Sequence, residues 1–97
     1  MNMALVEDVI DLLMKHEDGL TVRQICNALG LDPSRENEVY SAIMKAAKVV
    51  KRKGLELVMI PPRCRKCGFT FDKPKASRCP KCKSEWIEPA KFLILTS

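Results

Sequence analysis

Apolar positions recur along the first half of the chain at helical spacing. Leu5, Val9, Leu12 and Leu13 form a stripe over residues 3–16, with Glu7, Asp8 and Asp11 facing away from it. Gly19 interrupts this pattern. Thr21 is a natural cap for a short second helix from Val22 to Leu29, whose inner side is Val22, Ile25 and Leu29, with Gly30 as a left-handed stop. Asp32-Pro33-Ser34 reads as a helix start, with Asp32 as the cap, Ser34 as the competing cap and Pro33 where no N–H is needed. A third helix is therefore expected over residues 33–52, with Val39, Ile43, Ala46 and Val50 on one side and Gly54 ending it.

The pattern then changes period. Leu55 to Ile60 reads as a strand stopped by Pro61-Pro62, which cannot donate to a ladder. Phe92 to Leu95 reads as a second strand. Between them lies a segment rich in Cys, Lys, Arg and Pro. The two strands can pair antiparallel and close this insert off as a long hairpin. The expected fold class is α+β, three helices and two strands with an insert.

Charge sharpens the picture. The chain of 97 residues carries a formal net charge of +5. Residues 1–38 hold three basic and eight acidic residues, whereas residues 39–97 hold fourteen basic and four acidic. Such a skew gives one part of the molecule a positive surface that attracts polyanions, nucleic acid foremost. An ordinary solvated surface is the competing reading. Apolar runs are only a few residues long, and the first residues have neither a basic leader nor a long apolar core. The expected location is the cytoplasm, with no membrane partner.

Four of the five cysteines fall in two pairs, Cys64-x2-Cys67 and Cys79-x2-Cys82, separated by eleven residues. A two-residue gap lets one tight turn aim two sulfurs at a common point, with following backbone N–H groups turned toward the thiolates. Two such turns supply four soft ligands in a tetrahedron, which suits one structural zinc ion. Gly68 allows the first turn a positive φ and Pro80 stiffens the second. Arg65, Lys66, Lys81 and Lys83 would offset the net negative charge of a four-thiolate centre. The insert has few aliphatic residues, so metal binding has to supply its folding energy, with Phe69, Phe71 and Trp86 as expected packing residues. A disulfide pair, a redox Cys-x-x-Cys and a rubredoxin-like iron site are the alternatives. Four thiolates fill the coordination shell, and the single histidine, His16, is far away in sequence, so the metal reads as structural. Cys26 reads as a buried core residue.

The helix order, with a short Gly-containing turn before the third helix, reads as a helix-turn-helix, and the following strands make it a winged one. An unrelated three-helix bundle is the bland alternative. Asn37, Ser41, Lys45, Lys48 and Arg52 share the polar face of the third helix, opposite its apolar stripe, with Glu38 toward the edge. Asn37 and Ser41 are suited to base edges, and the cations to phosphates or guanine. Tyr40 and Met44 flank the apolar stripe and read as packing residues. The glycines build no phosphate loop, and no Ser/His/Asp or Cys/His constellation is visible, so no enzyme is expected.

The run Leu-Glu-Leu-Val-Met-Ile-Pro-Pro-Arg-Cys-Arg-Lys-Cys-Gly-Phe-Thr-Phe, followed by Ser-Arg-Cys-Pro-Lys-Cys-Lys-Ser-Glu-Trp-Ile-Glu-Pro, resembles a small archaeal family. Its members are predicted transcriptional regulators that fuse a winged helix-turn-helix to a rubredoxin-like zinc ribbon. The resemblance implies that the ribbon stands where the wing would be and that Cys64, Cys67, Cys79 and Cys82 are the metal ligands. It departs from the common pattern at Lys83, which stands where a glycine is usual. The expected organisation is a winged helix-turn-helix over 1–60, a zinc ribbon over 61–89 and a returning strand over 90–97. The expected function is sequence-specific DNA binding in transcriptional regulation, with double-stranded DNA as partner and a homodimer if the site is palindromic. The alternative is an adaptor that joins a transcription or RNA-processing assembly without touching DNA.

Overall fold

A computed structural model describes residues 3–96. Met1, Asn2 and Ser97, at the outer ends of the first and last segments expected from sequence, lie outside the described residues. The chain forms two compact units, one holding residues up to Val58 together with those from Phe92 onward, the other Met59–Lys91.

In the first unit, helix α1 spans Met3–Lys15 and helix α2 spans Val22–Ala28. A 3-10 turn over Pro33–Arg35 leads into helix α3, Glu36–Arg52, against which α1 and α2 both pack. Thr21 and Gln24 cap α2 reciprocally: the Thr21 hydroxyl accepts from the Gln24 N–H at 3.1 Å, and the Gln24 side chain accepts from the Thr21 N–H at 2.9 Å. Both α2 and α3 end in the same way. Leu31 N–H reaches back to the Cys26 carbonyl at 2.8 Å, and Leu55 N–H to the Val50 carbonyl at 2.9 Å. Each bond spans a residue in the left-handed region, Gly30 at φ 69° and Gly54 at φ 80°.

The third helix does not start where the sequence predicts. Pro33–Arg35 winds as a 3-10 turn because the Asp32 carboxylate holds the Ser34 N–H at 2.8 Å and the Asp32 carbonyl takes the Arg35 N–H at 2.9 Å. The α-helix proper begins one turn later. Helix α2 also ends one residue earlier than expected, leaving Leu29 half-buried.

The core takes Val39, Ile43, Ala46 and Val50 from α3, as its periodicity predicts, and adds Ala42. On α1 the buried face is Val6, Val9 and Leu13, rotated from the predicted stripe, and Leu5 and Leu12 are half-buried. The apolar arc of α1 is wide, and packing against α3 selects its centre. Helix α2 contributes Val22, Ile25 and Cys26. Met44 is not a packing residue: it is 68% exposed, on the outer side of α3. Tyr40 does pack, its ring meeting Phe92 edge-on at 6.5 Å.

Strands β2 (Glu56–Ile60) and β5 (Lys91–Leu95) are neighbours in one sheet, as the two apolar runs predict. A third strand, β1 (Leu20–Thr21), joins on the other side of β5, giving the order β1-β5-β2. Two residues are too short for a period, so nothing in the hydrophobic pattern announces β1. Phe92 and Ile94 of β5 are buried. Among the described residues, no helix is long and apolar enough to cross a membrane. The fold is mixed α+β, with three helices and small sheets.

The second unit is built on a two-stranded antiparallel ladder, β3 (Arg63–Cys64) with β4 (Ile87–Glu88), in which Arg63 faces Glu88 and Cys64 faces Ile87. Thr70 makes a further bridge to Arg63. Buried Pro62 supplies a carbonyl to the Phe71 N–H at 2.9 Å, and Phe69 meets Phe71 edge-on at 5.1 Å. Trp86 does not join this packing. It is 62% exposed, with the Arg65 guanidinium 6.0 Å from the centre of its ring.

Candidate metal centre

The two cysteine turns have the same backbone. In the first, Cys64 N–H donates to the Phe69 carbonyl at 2.8 Å and Gly68 N–H returns to the Cys64 carbonyl at 2.9 Å. In the second, Cys79 N–H donates to the Ser84 carbonyl at 2.8 Å and Lys83 N–H returns to the Cys79 carbonyl at 2.9 Å. The fifth position of each turn lies in the left-handed region, Gly68 at φ 82° and Lys83 at φ 66°. Lysine therefore takes the conformation that its place in the pattern requires.

This duplicated turn brings Cys64, Cys67, Cys79 and Cys82 together, their sulfurs all within 4.8 Å of one another. Cys64 Sγ and Cys82 Sγ are 3.5 Å apart, as are Cys67 Sγ and Cys79 Sγ. A disulfide would need about 2.05 Å, and all five cysteines are free. A zinc–sulfur distance of about 2.3 Å gives a regular tetrahedron an edge of about 3.8 Å, inside the range the four sulfurs span. Cys64 and Cys79 are fully buried, while Cys67 is exposed and Cys82 half-buried. The geometry and the soft donor set fit one zinc ion, which the four cysteines could hold as a closed thiolate site. Zinc bound there supplies cross-linking and charge neutralisation.

The thiols are electrostatically unequal. Backbone N–H groups of Cys67 and Lys66 and hydrogen bonds from neighbouring thiols hold Cys64 down, to about 6, against the opposing effect of burial. Burial raises Cys79, but the N–H groups of Cys82 and Lys81 and the neighbouring thiols outweigh it and leave it lowered. For Cys67 the Phe69 N–H pulls downward, yet burial and hydrogen bonding to the other three sulfurs push it up to about 12. Within the cluster, Cys64 is thus biased toward the thiolate and Cys67 toward the thiol. Cys26 stands apart in the core of the first unit, where burial raises its thiol.

The α3 residues singled out from sequence, Asn37, Ser41, Lys45, Lys48 and Arg52, are all exposed. The acidic residues at the start of the helix are engaged: Glu38 holds Arg35 at 2.6 Å, and Glu36 faces Arg23 at 3.8 Å. Among the described residues, Lys45, Lys48 and Arg52 have no carboxylate partner. Met44 lies three residues after Ser41 and four before Lys48, and this spacing was the signal for its exposure.

Residues 61–96 match the model of the PF0610 rubredoxin-like zinc beta-ribbon domain. The whole chain is similar to the solution NMR structure of protein PF0610 from Pyrococcus furiosus, with 31% sequence identity and a TM-score of 0.75. The likeness covers 100% of this chain and 93% of that one. The match to the domain model covers the ribbon and strand β5, whereas the structural likeness extends over the whole helical unit. No curated protein matches the chain.

Proposed function

We propose that this chain, which belongs to the family of the Pyrococcus furiosus PF0610 protein, is a DNA-binding transcriptional regulator of the winged helix-turn-helix type. It acts by binding and not by catalysis. Helix α3 is the recognition helix and enters the major groove. Asn37 and Ser41 meet base edges, and Lys45, Lys48 and Arg52 meet phosphates or guanine. Strands β2 and β5 are the wing strands, and the zinc ribbon inserted between them in the sequence serves as an enlarged basic wing, with nine basic and three acidic residues over 61–97. The observation that carries this reading is the exposed outer face of α3, where Lys45, Lys48 and Arg52 have no carboxylate partner among the described residues while the acidic residues at the helix start are engaged.

The test is selection of bound fragments from a random duplex pool, followed by Lys45→Glu combined with Lys48→Glu. Selected duplexes should bind the parent chain and be lost by the double variant. Equal binding by both would end the proposal.

One observation favours the adaptor reading. Met44, 68% exposed, puts an apolar side chain at the edge of the basic face. A protein partner would bury it. A partner captured by the parent and lost on Met44→Glu, with no duplex retained by either, would favour this second reading.

A further inference from the structure

Trp86 is the chain's single tryptophan, and it is 62% exposed on the ribbon. A residue that large and apolar is usually found covered. Its surroundings are fixed. Arg65 N–H donates to the Trp86 carbonyl at 3.0 Å, and Trp86 N–H donates to the Ser84 hydroxyl at 3.0 Å. Arg65 directly follows the metal-cluster residue Cys64, so the indole and its cation stand on backbone tied to the metal centre. The guanidinium lies over one face of the ring, 6.0 Å from its centre. The other face has no aromatic partner among the described residues.

The charge around it is predominantly positive. Alternation along the β3–β4 ladder puts Arg63 and Arg65 on the side of Trp86 and Glu88, opposite Cys64 and Ile87. Lys66, Lys81 and Lys83 belong to the two cysteine turns. Among the described residues, none of these five cations has a carboxylate within ion-pair distance. Glu85 and Glu88 are the nearby acidic residues in sequence, and they are outnumbered.

An exposed indole, with a guanidinium over one face and within a cationic surface, has the chemistry that receives a nucleobase: a flat apolar face for the base and cations for the flanking phosphates. A duplex keeps its base faces stacked on each other and offers none to the ring. We propose that the ribbon carries a stacking site at Trp86 for an unpaired base, and that its ligand is single-stranded nucleic acid. This goes beyond the duplex reading of α3 and does not depend on it.

Because Trp86 is the chain's single tryptophan, fluorescence excited selectively in the indole, and not in Tyr40, reports this site alone. The zinc-loaded full chain should be titrated with a short oligothymidylate, the matching oligouridylate and a mixed-sequence duplex. Saturable quenching by either single strand, well beyond any by the duplex, is expected; the stronger of the two single strands tells DNA from RNA. By anisotropy of a labelled strand, Trp86→Ala should bind about 5- to 150-fold more weakly, while Trp86→Phe stays within a few-fold of the parent. Lys45→Glu with Lys48→Glu should leave the quenching intact, so failure of the α3 reading is seen separately. Absence of quenching by both single strands, equal quenching by the duplex, or unchanged affinity in Trp86→Ala would each overturn the proposal.

Discussion

Lys83 N–H donates to the Cys79 carbonyl at 2.9 Å, the same bond that Gly68 makes to Cys64 in the first turn. Both residues hold a positive φ, which glycine adopts freely and lysine does not. The left-handed conformation costs a residue with a Cβ about 1–2 kcal/mol, and glycine's extra unfolded-state freedom gives back about 0.5–1. Lys83→Gly should therefore stabilise the zinc-bound ribbon by about 0.5–1 kcal/mol, which is about 2- to 5-fold in apparent zinc affinity. Gly68→Ala should weaken it by a similar factor. A Cβ at Gly68 meets nothing within 4 Å, so its cost lies in the backbone alone. Competition with a zinc chelator measures both variants.

A core residue packed against α3 and an exposed residue on it should respond very differently to truncation. Ile25 of α2 is fully buried in the core that α3 shares, and Ile25→Ala should cost about 2–5 kcal/mol. Met44→Ala, on the exposed side, should change stability by less than about 0.5 kcal/mol. Denaturant unfolding of the zinc-loaded chain checks both. A large loss from Met44→Ala would place that side chain in the core, as its position in the sequence suggested.

Zinc uptake should release protons and weaken on acidification. With its thiol pushed up to about 12, Cys67 holds a proton at neutral pH, and that proton must leave for the thiolate to bind metal. Cys64 has the opposite sign. Lowered from 9.0 to about 6, it favours the folded ribbon above its ordinary value and loses that contribution as the pH falls through about 6. Zinc affinity should thus fall about tenfold per pH unit near neutrality for each proton released, and more steeply once Cys64 also protonates. Calorimetry in buffers of different ionisation enthalpy counts the protons. Chelation should unfold the ribbon while helical circular dichroism persists, and a loss of helical signal in step with zinc release would contradict that division.

The sequence carried the parts of the fold that repeat. Val39, Ile43, Ala46 and Val50 recur at helical period and are all buried, and the duplicated Cys-x-x-Cys spacing announced the metal cluster. What it hid was set by partners distant in sequence. Strand β1 is two residues long and is defined by its bonds to β5. The face of α1 is chosen by α3, so Val6 displaced Leu5 and Leu12. The ladder of Arg63 and Cys64 with Ile87 and Glu88 is too short and too charged to show an apolar alternation. Trp86 was expected to pack because it is aromatic, but its place on the side of the ladder opposite Cys64 exposes it.

The role of the α3 face in DNA binding is tested most directly by the salt dependence of duplex affinity. Each phosphate neutralised contributes a slope of about −0.9 to a plot of log affinity against log salt. Lys45→Ala with Lys48→Ala should make the slope shallower by about 1.8. A slope that does not change between the parent and the double variant, or duplex affinity indifferent to salt in both, would contradict the assignment of these lysines to the DNA backbone.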